Sequence, residues 1–148
     1  MTHKEHFRIY VAAYLLLIKD GKVLLLRRIN TGYQDGKYSL VAGHLDGEET
    51  AKQSIIREAK EEAGITLSSE NLKVVHVMHR LTADREYIDI YLEAEKWDGE
   101  IKNMEPEKCG DLSWFPVKNL PQNIVPEVKF VVENLKSELM YSEFGWQN

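Results

Sequence analysis

The sequence predicts an α/β fold, on three observations. Apolar runs of strand length recur along the 148 residues. One segment in the middle and one near the end instead repeat apolar residues at helical spacing. These helical segments are mixed with the strands along the chain, as one α/β domain over residues 1–148 requires.

Ile9 to Lys19 is an apolar run holding Val, Tyr and Ile, and reads as a strand buried on both faces. Asp20-Gly21 and a second run, Val23 to Leu26, predict a hairpin, with Arg27-Arg28 ending its second strand. Ile29 to Lys37 is a polar, glycine-bearing loop, and Tyr38 to Val41 is a short strand. Gly43 to Glu49 reads as a second loop. Thr50 to Ala63 follows as a helix with Ala51, Ile55, Ile56, Ala59 and Ala63 on one side and Gly64 at its C-cap. Leu72 to His79 and Glu86 to Ala94 are strands, Asp98-Gly99 a turn, Gly99 to Asp111 a loop and Leu112 to Val117 a strand. Val128 to Met140 closes the chain as an amphipathic helix, with Val128, Val131, Val132, Leu135 and Leu139 on its stripe. That helix has two destinations, the chain's own core or a partner, so a homodimer stays open.

Composition narrows the class. Apolar residues are 43% and charged residues 29%, a folded rather than a disordered balance. The net charge of −5 disfavours duplex nucleic acid, whose partners carry a basic surplus. An anionic ligand would need a metal cation or a few basic residues to meet it. Cys109 is the only cysteine, so it has neither a disulfide partner nor a thiolate zinc site. Met1 to Arg8 is polar, unlike a signal peptide, and no apolar run reaches membrane-spanning length. A cytoplasmic enzyme or binding protein is the expectation.

The helix carries the chemistry. At about 100° per residue, Glu58, Glu61 and Glu62 share a face beside the apolar stripe. Like charges three and four residues apart repel, by a few tenths of a kcal/mol per pair. Water and salt offset this on an open surface; a divalent cation does so better, and magnesium takes carboxylate oxygens together with substrate phosphates. Arg57 lies one turn before Glu61 and can fix a neighbouring carboxylate. Taken alone, such a segment is an ordinary solvated helix face.

Its surroundings decide. Gly43 is followed by five residues and Glu49, then by the seven residues Thr50 to Ile56 and Arg57-Glu58-Ala59-Lys60-Glu61-Glu62-Ala63-Gly64-Ile65. This resembles the Nudix box at every fixed position, and the order of elements is similar to the Nudix α/β/α sandwich with a mixed sheet. The resemblance implies hydrolysis of a nucleoside diphosphate derivative with Mg2+ or Mn2+. By the same resemblance, Glu58, Glu61 and Glu62 bind metal and Glu58 is the base in some members. Arg57 orients a carboxylate, Glu49 is more structural, and the Ala42 carbonyl adds a metal ligand.

A second segment, Glu105-Pro106-Glu107-Lys108-Cys109 before Trp114-Phe115 and Leu120-Pro121, is similar to MutT-like nucleoside-triphosphate diphosphatases. The likeness implies that a late-loop glutamate completes the metal site, with Glu107 the first candidate and Glu105 the alternative. For the nucleotide, Tyr14, Arg27, Tyr38, Trp114 and Asn123 are candidate pocket residues, with aromatics to stack and Arg27 to meet phosphate. Each of these also suits core or surface. His44 is a turn residue first and a phosphate donor second. The proline that marks many ADP-ribose hydrolases has no counterpart at His79-Arg80-Leu81. The leading expectation is a (d)NTP or modified NTP split into monophosphate and pyrophosphate. A nucleotide-sugar, ADP-ribose or dinucleotide pyrophosphatase is the second, and a non-catalytic nucleotide sensor the third. The intact Arg57, Glu58, Glu61 and Glu62 set favours catalysis over sensing.

Overall fold

The structure, a computed structural model, describes residues 5–147. The polar stretch Met1 to Arg8, expected not to be a signal peptide, therefore falls in part on residues outside the described ones. Eight strands and two helices form it: β1 Tyr10–Lys19, β2 Lys22–Arg28, β3 Tyr38–Ser39, β4 Val41–His44, α1 Ala51–Ala63, β5 Lys73–Leu81, β6 Glu86–Ala94, β7 Cys109–Pro116, α2 Pro126–Glu133 and β8 Tyr141–Phe144.

β1 organises the sheet. One of its edges pairs in parallel with β6 from Tyr10 to Leu17. The other edge is divided: Ala12 to Leu15 pair with β4, and Ile18-Lys19 with β2. β2 then carries β3 and β7, β6 carries β5 and β5 carries β8, so the sheet forks where β2 and β4 part. Period-two alternation sends β1 side chains to two cores. Ala13, Leu15 and Leu17 join Ile55, Ala59 and Ala63 of α1 in one cluster. Leu16 joins Val128, Val131 and Val132 of α2 in the other. This is the mixed-sheet α/β/α sandwich, and the expectation that β1 is buried on both faces holds.

α1 begins and ends where its sequence directs. The Thr50 hydroxyl accepts from the Gln53 amide at 3.1 Å, and the Gln53 side chain accepts from the Thr50 amide at 2.9 Å. This reciprocal cap satisfies two otherwise orphaned donors. Gly64, at φ 71°, ends the helix in the left-handed conformation. Ile55 is fully buried, a contribution of about 1.5–3 kcal/mol.

Three departures from expectation have local causes. The strand expected over Tyr38–Val41 is two strands, because Tyr38–Ser39 pair with β2 while Val41–His44 pair with β1 across the fork. Gly43 and His44 lie in β4, not in a loop. The terminal helix stops at Glu133: the Asn134 side chain donates to the Phe130 carbonyl at 2.8 Å, and Glu138 turns left-handed at φ 58°. The residues beyond it form β8, parallel to β5. Buried His76 fixes this strand. Its Nδ1 lies 2.7 Å from the Leu139 carbonyl, which can only accept, so Nδ1 donates there and Nε2 accepts from the Ser142 hydroxyl, also at 2.7 Å. Leu139 is thereby exposed, and the expected stripe is buried only through Val128, Val131 and Val132, within its own chain. Among the described residues, no helix is long and apolar enough to cross a membrane.

Candidate active site

The fork between β2 and β4 opens onto two hollows that share Arg28 and Ala42. The first, of about 420 Å3, lies on the α1 side and is lined by Glu58, Glu61, Glu62 and Glu105. The second, of about 640 Å3, lies toward the N-terminus of α2, with Tyr14, Tyr87, Arg80 and Glu127 in its walls.

Beside the acidic hollow, Arg57 is the hub of the carboxylates around it. Its Nη2 donates to Glu49 at 2.9 Å and its Nη1 to Glu58 at 2.8 Å, while Asp46 and Glu61 stand at 3.5 and 3.7 Å. The Arg57 hydrogen bond holds the Glu49 carboxyl below its usual range. Glu58 also needs Gly43: a Cβ at position 43 would overlap the Glu58 carboxylate. The box glycine and the helix arginine thus fix one side chain from two sides.

Glu62 is the unusual group. Its Oε2 is buried with no hydrogen-bond partner. Burial first, then the neighbouring carboxylates of Glu58 and Glu105, push Glu62 well above the ordinary carboxylate range, offset in part by the Ala42 backbone amide. An unsatisfied buried oxygen among like charges is costly unless a cation meets it. Among the described residues, no three acid, histidine or cysteine side chains already converge as a finished coordination sphere. Glu58 is turned to Arg57 instead. The chemistry of the donor set nonetheless fits a hard cation: carboxylate oxygens surround an orphaned one, beside the Ala42 backbone. Ala42 has no left-handed backbone and sits in register opposite Tyr14, so alanine suits this place as well as glycine would.

The late loop contributes a different acid from the first candidate. Glu107 is exposed, and it is the Glu107 backbone carbonyl that is engaged, accepting from Asn30. Glu105 faces the cluster. Cys109, with its thiol donating to the Asp111 carbonyl at 3.2 Å, is a buried wall residue whose pKa burial pushes up.

The candidate nucleotide residues divide. Tyr14 lines the larger hollow, stacked on Tyr91 with ring centroids 4.7 Å apart, and His44 stands at its rim between Tyr10 and Tyr87. Arg27, Trp114 and Asn123 do not reach either hollow. Arg27 lies against Gly110, where a Cβ would meet its Nη2 at 2.7 Å. Trp114 stacks on Trp97 at 5.9 Å against the α1-side core. The Asn123 side chain donates to the Gly36 carbonyl at 2.9 Å and ties two loops together. Tyr38 is buried, donating to Asp111 at 2.5 Å.

Arg28 replaces Arg27 at the hollows, and alternation could have shown this: Leu24 and Leu26 face the α1-side core, and Arg28 continues their face. Arg80 was also missed. It is 5% exposed, pairs through Nε and Nη2 with buried Asp89, lies 3.9 Å from Glu127 and sits over the Tyr87 ring at 4.1 Å. Its signal was a charge on the buried face of a strand, alternating with Met78 and His76. Glu127 offered no such signal, since only the fold brings α2 to β5.

Comparison with known proteins places the chain in a family. The NUDIX domain family model matches residues 6–135. An ADP-ribose pyrophosphatase of Methanocaldococcus jannaschii is 26% identical over 136 residues, covering 89% of this chain and 79% of that protein. The NAD-capped RNA hydrolase NudC of Stutzerimonas stutzeri is 27% identical over 117 residues, 79% of this chain but only 40% of that longer protein. Among solved structures, a MutT Nudix hydrolase from Burkholderia pseudomallei superposes with a TM-score of 0.79 at 25% identity, over 86% of this chain and 98% of that one. With the family model spanning residues 6–135, the chain belongs to the Nudix family of hydrolases, with the fold of its MutT-like members.

Proposed function

We propose that the chain hydrolyses the pyrophosphate bond of a nucleoside triphosphate, standard or modified, giving the monophosphate and pyrophosphate. The observation that carries this is the junction at Arg28 and Ala42. It joins an acidic hollow suited to metal and phosphates to a tyrosine-lined hollow of nucleoside size. Glu58, Glu61 and Glu62, with Glu105 and the Ala42 carbonyl, are the groups that would hold Mg2+ or Mn2+. A bound divalent ion there supplies charge neutralisation on the phosphates and a more acidic water. Arg28 and Lys108, both on the acidic hollow, bring positive charge to phosphate oxygens. Glu58 takes the proton of the attacking water as the P–O bond to the leaving pyrophosphate breaks, and Arg57 holds Glu58 in place for it. Tyr14 and Tyr87 flank the nucleoside.

The test is a substrate panel with magnesium: nucleoside triphosphates, oxidised nucleoside triphosphates, ADP-ribose, nucleotide sugars and dinucleoside polyphosphates, with products separated by chromatography. Glu58→Gln should keep the fold and lose turnover; unchanged phosphate release from that variant would overturn the assignment. ADP-ribose is the second reading, favoured by the name of the archaeal relative. AMP with ribose phosphate as the main products would establish it.

A further inference from the structure

β8 ends the sheet: β5 pairs with its inner edge, and among the described residues no strand pairs with its outer edge. The Val77 amide donates to the Met140 carbonyl at 2.9 Å, and Val77 stands in register with Tyr141. Successive residues of an extended strand turn their amide and carbonyl groups to opposite edges. Ser142 therefore faces β5, and Tyr141 and Glu143 turn their amides and carbonyls outward. Such a row of free donors and acceptors is a template for another strand. The surface around it is apolar as well. Of the nine large hydrophobic side chains exposed among the described residues, four, Leu139, Met140, Tyr141 and Trp146, lie on this strand or directly beside it. Single exposures scattered over a surface are ordinary, but a cluster along an open edge marks a contact surface.

The side chains of β8 say what pairs with it. Two copies of one strand meet antiparallel about a two-fold axis, and the pleat lets only residues of the same face stand opposite each other. Tyr141 and Glu143 share the exposed face, where the Tyr141 hydroxyl donates to the Glu143 carboxylate at 2.8 Å. An axis through Glu143 would set two carboxylates against each other, which is repulsive. An axis through Tyr141 would set each Glu143 against Leu139. An axis through Ser142 sets each Tyr141 opposite Glu143 of the second copy, and each exposed Met140 opposite half-buried Phe144. Tyrosine hydroxyls then meet carboxylates across the seam, and the outward amides and carbonyls of each Tyr141–Glu143 pair exchange both their hydrogen bonds. The edge is complementary to itself in charge, in apolar contact and in backbone direction at the same register.

We propose that β8 is the interface of a two-fold homodimer, in which the outer edges of two β8 strands pair antiparallel about Ser142 and the two sheets run on as one. The contact is this sheet edge and not α2, whose apolar stripe is spent within its own chain. Light scattering on the intact chain over a concentration series tests it. The mass rises from that of one chain toward that of two as the concentration approaches about 100 μM, the range for a contact of modest area. Tyr141→Pro removes an amide that points away from β5, so each chain keeps its own ladder and melts cooperatively. Its dimer is weaker by roughly 30-fold or more, the effect of one hydrogen bond lost on each side of the axis. Tyr141→Glu sets carboxylates opposite each other and weakens the dimer too, whereas Tyr141→Lys sets a cation opposite Glu143 and keeps it. Should the proline variant fail to melt cooperatively, this glutamate and lysine pair decides. A single-chain mass for the wild type throughout the series overturns the proposal, as does a folded Tyr141→Pro variant that dimerises like wild type. Dimers of equal strength in Tyr141→Glu and Tyr141→Lys overturn it as well, because the copies then meet elsewhere or in another register. A mass that climbs past two chains overturns the two-fold closure, which leaves neither β8 edge free.

Discussion

Arg57 grips Glu49 at 2.9 Å with one terminal nitrogen and Glu58 at 2.8 Å with the other, so a single guanidinium ties the entrance of α1 to the candidate base. A lysine has one point charge and cannot span both partners. Arg57→Lys should therefore retain the fold and lower kcat by about 10- to 100-fold, the range for losing a supporting contact behind a metal ligand. Circular dichroism and steady-state kinetics check this. A fully active lysine variant would show that the bridge plays no part in turnover.

Gly43 acts on the same carboxylate from the opposite side. A methyl group there collides with the Glu58 side chain, not with backbone. A flexible side chain can move away at small cost, so Gly43→Ala should change stability by less than about 1 kcal/mol. The displaced carboxylate should nonetheless cost roughly 100-fold in kcat, since an ångström of misplacement has that effect. A variant that melts normally and works normally would separate the box glycine from Glu58.

How far the sequence reached follows from which interactions are local. The α1 helix was legible because Thr50, Gln53, Ile55, Ala59 and Gly64 all state the same element within one segment. The acidic cluster was legible because its spacing is itself helical. The nucleotide side was legible only at Tyr14 and His44, because Arg80 and Glu127 come from β5 and α2 and join them only after folding. Arg27 and Arg28 differ by one position, and in a strand one position changes the face. β8 was hidden for a related reason. The residues from Leu135 to Met140 continue the helical spacing, but the Asn134 cap and the buried His76 redirect the chain.

Glu62 gives a prediction about metal and stability together. Burial raises its pKa, so its contribution to stability is fully present below the ordinary carboxylate range and is lost as pH rises through the raised value. At pH 8 the metal-free protein carries that cost. Glu62→Gln removes the charge and should melt no lower than wild type without metal. Adding Mg2+ should raise the wild-type Tm, because a ligand of the folded state stabilises it, and should do little for the variant. Glu105→Gln should weaken the same Mg2+ shift, while Glu107→Gln, altering an exposed side chain, should leave it intact. Differential scanning fluorimetry with and without Mg2+ reads all three variants. A full Mg2+ shift in Glu62→Gln would remove Glu62 from the ligand set.

A side-chain tie across β2 joins β3 on one of its edges to β7 on the other. The Tyr38 hydroxyl donates to Asp111 at 2.5 Å, and Ser113 donates to the same carboxylate at 2.8 Å. The Tyr38 hydrogen bond leads in holding Asp111 below its usual range. A lowered carboxylate pKa contributes stability above the ordinary value near 3.8, and that contribution is lost as pH falls through the lowered one. Tyr38→Phe removes a buried hydroxyl and keeps the ring against Phe115, whose centroid is 4.8 Å away. The variant should therefore lose about 1–2 kcal/mol near pH 6, where Asp111 is ionised and the hydrogen bond is charge-assisted. As pH falls through the lowered value the carboxylate protonates and accepts more weakly, so the deficit should shrink. Urea unfolding of both proteins over a pH series descending from 6 into the acid range measures it. A deficit that stays constant while the wild type itself loses stability in acid would mean that the hydroxyl acts through packing and not through the Asp111 charge.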